Sequence, residues 1–146
     1  MHSVVLNSAQ ITILRLMLRL QLIRSLRMTL GSYRQGTASE SYALNYSLGF
    51  IDRHEAADMT LRLVEEKMLQ NRQPAFELML DEATHSELSR IVDFPYSTAQ
   101  IPDGDQADAG RILKLIQDER EGLRMAFSLT EATPVPNMTT SGKFRQ

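Results

Sequence analysis

The chain is expected to fold as a mainly α-helical domain, a small bundle of four or five helices with an apolar, basic N-terminal helix and an extended C-terminal tail. Three observations support this. Apolar residues recur at three- and four-residue spacing from Ala57 to Met68 and from Ile112 to Phe127, as in helices covered on one side. The longest apolar stretch, Ile11 to Leu30, consists mainly of Leu, Met, Arg and Gln, which are strong helix formers. Helix-starting and helix-stopping residues border these stretches. At 146 residues one domain is expected, over 1–129, with 130–146 as a flexible or partner-ordered tail.

Met1 to Gln10 is mixed, with Val4, Val5 and Leu6 apolar and Ser8 placed to cap a helix. From there Leu14, Leu16, Leu18, Leu20 and Leu22 alternate with Arg15, Met17, Arg19 and Gln21, the period of a half-buried strand. A strand over 14–22 is therefore the competing assignment. Its length would be about twice that of an ordinary strand, and its residue types favour a helix. On a helix the arginines spread over about half the circumference and leucine appears on every side, so the element must be surrounded on most sides, by its own bundle or by partner subunits. Gly31 is expected to stop it as a left-handed residue, and 32–39 to connect.

Ser41 to Leu48 reads as a short helix stopped at Gly49, with Asp52 and Glu55 resembling a capping box for the next. That second helix carries Ala57, Leu61, Val64 and Met68 on one stripe, so a helical hairpin turning at Gly49 is expected. Pro74 opens a segment, Ala75 to Leu80, that is a strand by alternation or a helix by residue type. Thr84 and Glu87 form a capping box before Leu88, Ile91 and Val92, and Pro95 ends that element. Residues 95–108 read as a loop, after which Asp105 or Asp108 caps a helix to about Leu129. Its stripe of Ile112, Leu115, Ile116, Leu123 and Phe127 includes Glu119, expected at the core edge or paired with an arginine of the first helix.

The net charge of −2 conceals a division: residues 1–36 hold five arginines and no acid, while the remaining 11 basic and 18 acidic residues give −7. A basic front and an acidic body attract one another within a fold or between copies, and the front alone suits an anion such as nucleic acid. Arginine every three to five residues forbids a membrane span. The absence of cysteine excludes disulfides and thiolate chemistry and favours the cytoplasm. An Arg-rich, acid-poor front also has the composition of a mitochondrial presequence.

The favoured function is a non-catalytic protein-interaction protein, an oligomeric subunit or adaptor in a larger assembly. Its partner would be another protein or a second copy, met through Leu14, Arg15, Leu18, Arg19 and Leu22. The alternative is a small DNA- or RNA-binding regulator using Arg15, Arg19, Arg24, Arg27, Tyr33 and Arg34. A second alternative is a metal-dependent helical-bundle enzyme using His54 and Asp58, one turn apart, with Glu82 and His85 in a Glu-x-x-His pattern. That pattern occurs once where a di-iron bundle needs two, and Glu82 lies outside the helix if Thr84 caps it. No G-x-S-x-G elbow or phosphate-binding glycine loop occurs, so no substrate or cofactor is assigned and the reading leans away from an enzyme.

Overall fold

The structure is a computed structural model that describes residues 1–36 and 39–128; the expected tail at 130–146 lies outside the described residues. In chain order it comprises strand β1 (His2–Asn7), helices α1 (Ser8–Arg34) and α2 (Glu40–Asn71), strand β2 (Ala75–Leu80), helix α3 (Glu82–Asp93), 3-10 turns at Thr98–Gln100 and Asp103–Asp108, and helix α4 (Ala109–Ser128). The fold is mainly helical, with one small sheet, as expected of a small bundle.

β1 and β2 pair antiparallel with His2 opposite Leu80 and Asn7 opposite Ala75. Both strands alternate, Val4, Leu6 and Leu78 facing the core while Val5, Glu77 and Met79 face outward. This alternation decides Ala75 to Leu80 in favour of strand over its helix-forming residue types. β1 is an element the sequence reading missed, because its partner lies two long helices away.

α1 is a helix throughout, which removes the strand assignment at 14–22. Asn7, not Ser8, caps it: the Asn7 carboxamide oxygen accepts from the Gln10 amide at 2.8 Å and Gln10 returns the bond to the Asn7 amide at 2.9 Å. Ile11, Ile13, Leu14, Met17, Leu18 and Leu20 are all buried, on a face of about half the circumference in the first half of the helix, while Thr12 and Arg19 on the opposite side are exposed. β1, α2, α3 and α4 all pack against the helix, which covers that broad apolar face.

Two expected breaks are absent. α1 continues through Gly31 to Arg34, and the positive φ falls at Gly36 instead (78°). α2 is one uninterrupted helix, so the hairpin at Gly49 and the cap at Asp52 do not form. Ser39 caps α2 through the Tyr42 amide, and its stripe of Leu61, Val64 and Met68 packs into the core with Ala57 beside it. A glycine inside a helix weakens it without stopping it unless the chain beyond must turn. α3 begins earlier than its Thr84 box implied, because Asp81 caps it by accepting from the Thr84 amide at 2.7 Å. On α4, Ile116, Leu123 and Phe127 are buried but Leu115 stays exposed.

An alanine at position 49 would extend into open space, with nothing within 4 Å of its Cβ. Gly49→Ala is therefore expected to stabilise the protein by about 0.5–1 kcal/mol through the helix interior. Arg72, which closes α2 at φ 54°, should gain about 1 kcal/mol on replacement by glycine. Urea titration checks both as a raised midpoint at unchanged slope; a lowered midpoint for Gly49→Ala means the chain turns there.

Candidate protein interface

α1 has 27 residues and α2 has 32, lengths of about 40 and 48 Å. Between Leu20 and Ala57 no described residue joins the core cluster, so the end of α1 and the start of α2 project as a two-helix arm. The arm is rooted on the loop after α3: the Arg24 guanidinium lies 4.7 Å from the Phe94 ring centroid, and Arg27 donates to the Ala99 carbonyl at 3.2 Å. Its seam is thin, with Thr29 and Ala43 buried between the helices.

Large apolar side chains line both sides of that seam. On one side Tyr42, Tyr46 and Phe50 form a ladder along α2, with centroids 5.7 and 5.2 Å apart, walling a cleft with Met28 of α1. On the other side Leu22, Leu26, Leu30 and Tyr33 follow one another along α1 at helical spacing, and Leu44, Leu48 and Ile51 do the same along α2. Leu44 is 58% exposed and Leu48 49%, values foreign to a finished two-layer core. This second face runs into a groove of about 520 Å³ at the root, lined by Arg15, Arg19 and Leu22 of α1 and Glu55, Asp58, Met59 and Arg62 of α2.

Electrostatics fix how the two helices lie. The Arg15 guanidinium donates to both carboxylate oxygens of Asp58, at 2.7 and 3.4 Å, and to Glu65 at 3.2 Å. The hydrogen bond to Asp58 is the main influence holding its pKa above the ordinary arginine value. Thr12 adds a bond to Glu65 at 2.9 Å. Glu119, expected at the core edge or paired with an arginine of α1, is half-buried and has no ion pair among the described residues.

His54 sits between this groove and a second one of about 510 Å³, which α2 shares with α3 through Ala56, Thr60, Ala83, Thr84 and Glu87. Its Nδ1–H donates to the Phe50 carbonyl at 3.0 Å. Burial lowers its pKa, outweighing that bond and the charge of Glu87, which act the other way.

The metal constellation is not assembled. Glu82 is the first residue of α3, so Glu82 and His85 do share a helical turn, yet Glu82 accepts from His2 at 2.6 Å and His85 donates to the Phe127 carbonyl at 2.9 Å. Asp58 is held by Arg15, and His54 lies across α3 from His85. Among the described residues no group of three or more His, Asp or Glu is placed to hold a metal ion.

Of the five residues expected to meet a partner, Leu14 and Leu18 are buried within this chain, leaving Arg15, Arg19 and Leu22 around the groove. The arginines named for nucleic acid are divided: Arg15, Arg24 and Arg27 are engaged within the chain, whereas Arg19, Arg34 and Tyr33 are exposed along the arm. The hairpin expected to turn at Gly49 is one uninterrupted helix. The arm residues Leu30, Leu44, Leu48 and Ile51 were missed. Their spacing was legible, but an inserted stop at Gly49 hid its continuity. No described helix is long and apolar enough to cross a membrane.

Above pH 6.5 His54 is neutral in folded and unfolded chains alike; below it the unfolded chain takes up the proton first, so stability falls as the pH drops. His54→Gln should remove that part of the loss between about pH 7 and 5 in thermal melts, an interval separate from the acid loss due to Asp81 and Glu82, both held below ordinary carboxyl values by hydrogen bonds. An identical slope in the variant overturns this assignment. Compared with protein-family models, with curated proteins and with solved structures, the chain matches none.

Proposed function

We propose that this is a protein-interaction protein, working as a subunit or adaptor in an assembly, and that the α1–α2 arm is its contact element. The observation that carries the reading is the arm's exposed apolar surface, contributed by Leu30, Leu44, Leu48, Tyr33, Tyr42 and Tyr46. Single exposed apolar residues are ordinary, but a contiguous set on a projecting element marks a surface that is covered in use. Aromatic side chains are the groups most favoured at the centre of such contacts, where they bury large area at small entropy cost.

The arm also suits contact by its shape. A two-helix projection can meet a partner on either side of its seam without disturbing the body, whose core lies beyond its root. The engaged charges lie mainly near that root, and the outer part presents leucine and tyrosine, with Arg34 and Glu40 exposed at its tip.

Chemical cross-linking in source cells, followed by mass spectrometry, tests this reading. Intermolecular links are expected on residues 22–53, and Leu44→Arg with Leu48→Arg should reduce them at least tenfold while far-UV circular dichroism is unchanged. Links confined to the rest of the chain, or none, overturn it.

A further inference from the structure

Two helices alone cannot complete a core. Each covers one edge of the other and leaves the adjoining stripe in water, and the usual resolution is two further helices laid across the stripes to make four. We infer that the face bearing Leu22, Leu26, Leu30, Tyr33, Leu44, Leu48 and Ile51 docks onto the same face of a second copy, forming a two-fold four-helix bundle from two arms. This deepens the interaction reading above by naming the partner.

Three observations favour a second copy over a different protein. The face is free of charge over its central length, so identical surfaces meet without repulsion. Its flanks are opposite in sign on the two helices: Arg19 and Arg34 border it on α1, whereas Glu40, Asp52 and Glu55 border it on α2. The Arg15–Asp58 pair sets the antiparallel register, and carrying that register along the arm places Arg19 level with Asp52 and Glu55, and Arg34 level with Glu40. A two-fold axis running along the arm lays α1 of one copy over α2 of the other at the same height. Arg19 and Arg34 then each face an acid of the partner, twice over by symmetry. The reverse arrangement, α1 on α1, sets arginine rows together and is disfavoured.

The size of the face sets how strong this pairing is. Two helices about 10 Å apart, over the 20 residues from Arg15 to Arg34, present a plan area of about 600 Å² per copy. Specific pairs bury about 800 Å² a side, so the face lies toward the low end and forms a reversible, concentration-dependent dimer.

Sedimentation velocity of the full chain in dilution up to on the order of 100 µM tests the pairing. A monomer–dimer equilibrium is expected, with Leu30→Glu and Leu48→Glu each weakening it at least tenfold. Charge reversal keeps the test independent of the apolar face. Arg34→Glu and Glu40→Arg should each weaken self-association roughly three- to tenfold, and an equimolar mixture of the two should recover it as a heterodimer. A monomer at every concentration overturns the inference, as does a dimer indifferent to all four substitutions or a mixture that shows no recovery. If the purified chain is monomeric while cross-links from the arm to another protein persist, the second copy is rejected and the interaction reading stands.

Discussion

An α-helix that is apolar over half its circumference needs more than one neighbour to cover it, and most of this structure follows from that constraint at Ile11 to Leu20. No single neighbour can enclose such a helix. α2 takes one side, α3 and α4 others, and the small sheet closes the end where β1 leads in. Leu14 and Met17 retain no exposure at all. The arginines interleaved among these leucines are accommodated by direction: Arg15 turns to the carboxylates of α2, and Arg24 and Arg27 reach past the end of the core to the loop after α3.

The same constraint explains the arm. Only the first half of α1 is needed at the centre, yet the helix runs on for more than a dozen residues, and α2 returns alongside it over the full distance. Once the two pass the end of α3 and the following loop, they have only each other. The seam stays closed through small residues and the aromatic ladder from Tyr42 to His54. Leucines continue outward at core-like spacing without a core to enter. Their exposure is a consequence of length, and it converts an ordinary apolar helix into a surface for a partner.

Charge division plays a different part from the one its composition suggests. A basic front and an acidic body do attract, but the contact is local: one arginine, two carboxylates and a threonine hydroxyl fix the register of α1 against α2. Half-buried groups of this kind are costly to leave unpaired, which makes them good at specifying alignment. The remaining arginines, outside that contact, lie along the arm. His54 belongs to the same junction, neutral and hydrogen-bonded one turn back along its own helix, and its burial records how closely α2 lies on α1 there.

Sequence by itself determined the helical class, the apolar stripes of α2 and α4, the start of α3 within a few residues, and the need of α1 for several neighbours. These follow from periodicity and residue type, which are local properties. Tertiary structure alone decided the rest. The pairing of β1 with β2 depends on residues 68 to 78 positions apart, so Val4 to Leu6 could not announce a strand without its partner. Gly31 and Gly49 carry a stop signal locally, but whether a helix ends at glycine depends on where the chain must go next, and here both helices run straight on. Histidine and carboxylate spacing suggested a ligand set that the fold divides among separate contacts, since sequence gives separation along a helix but not which neighbour each face meets. The contact surface was sought near Leu14 because that leucine-rich stretch is the most apolar. The fold buries its beginning and exposes its continuation, because coverage is a property of the neighbours and not of the helix.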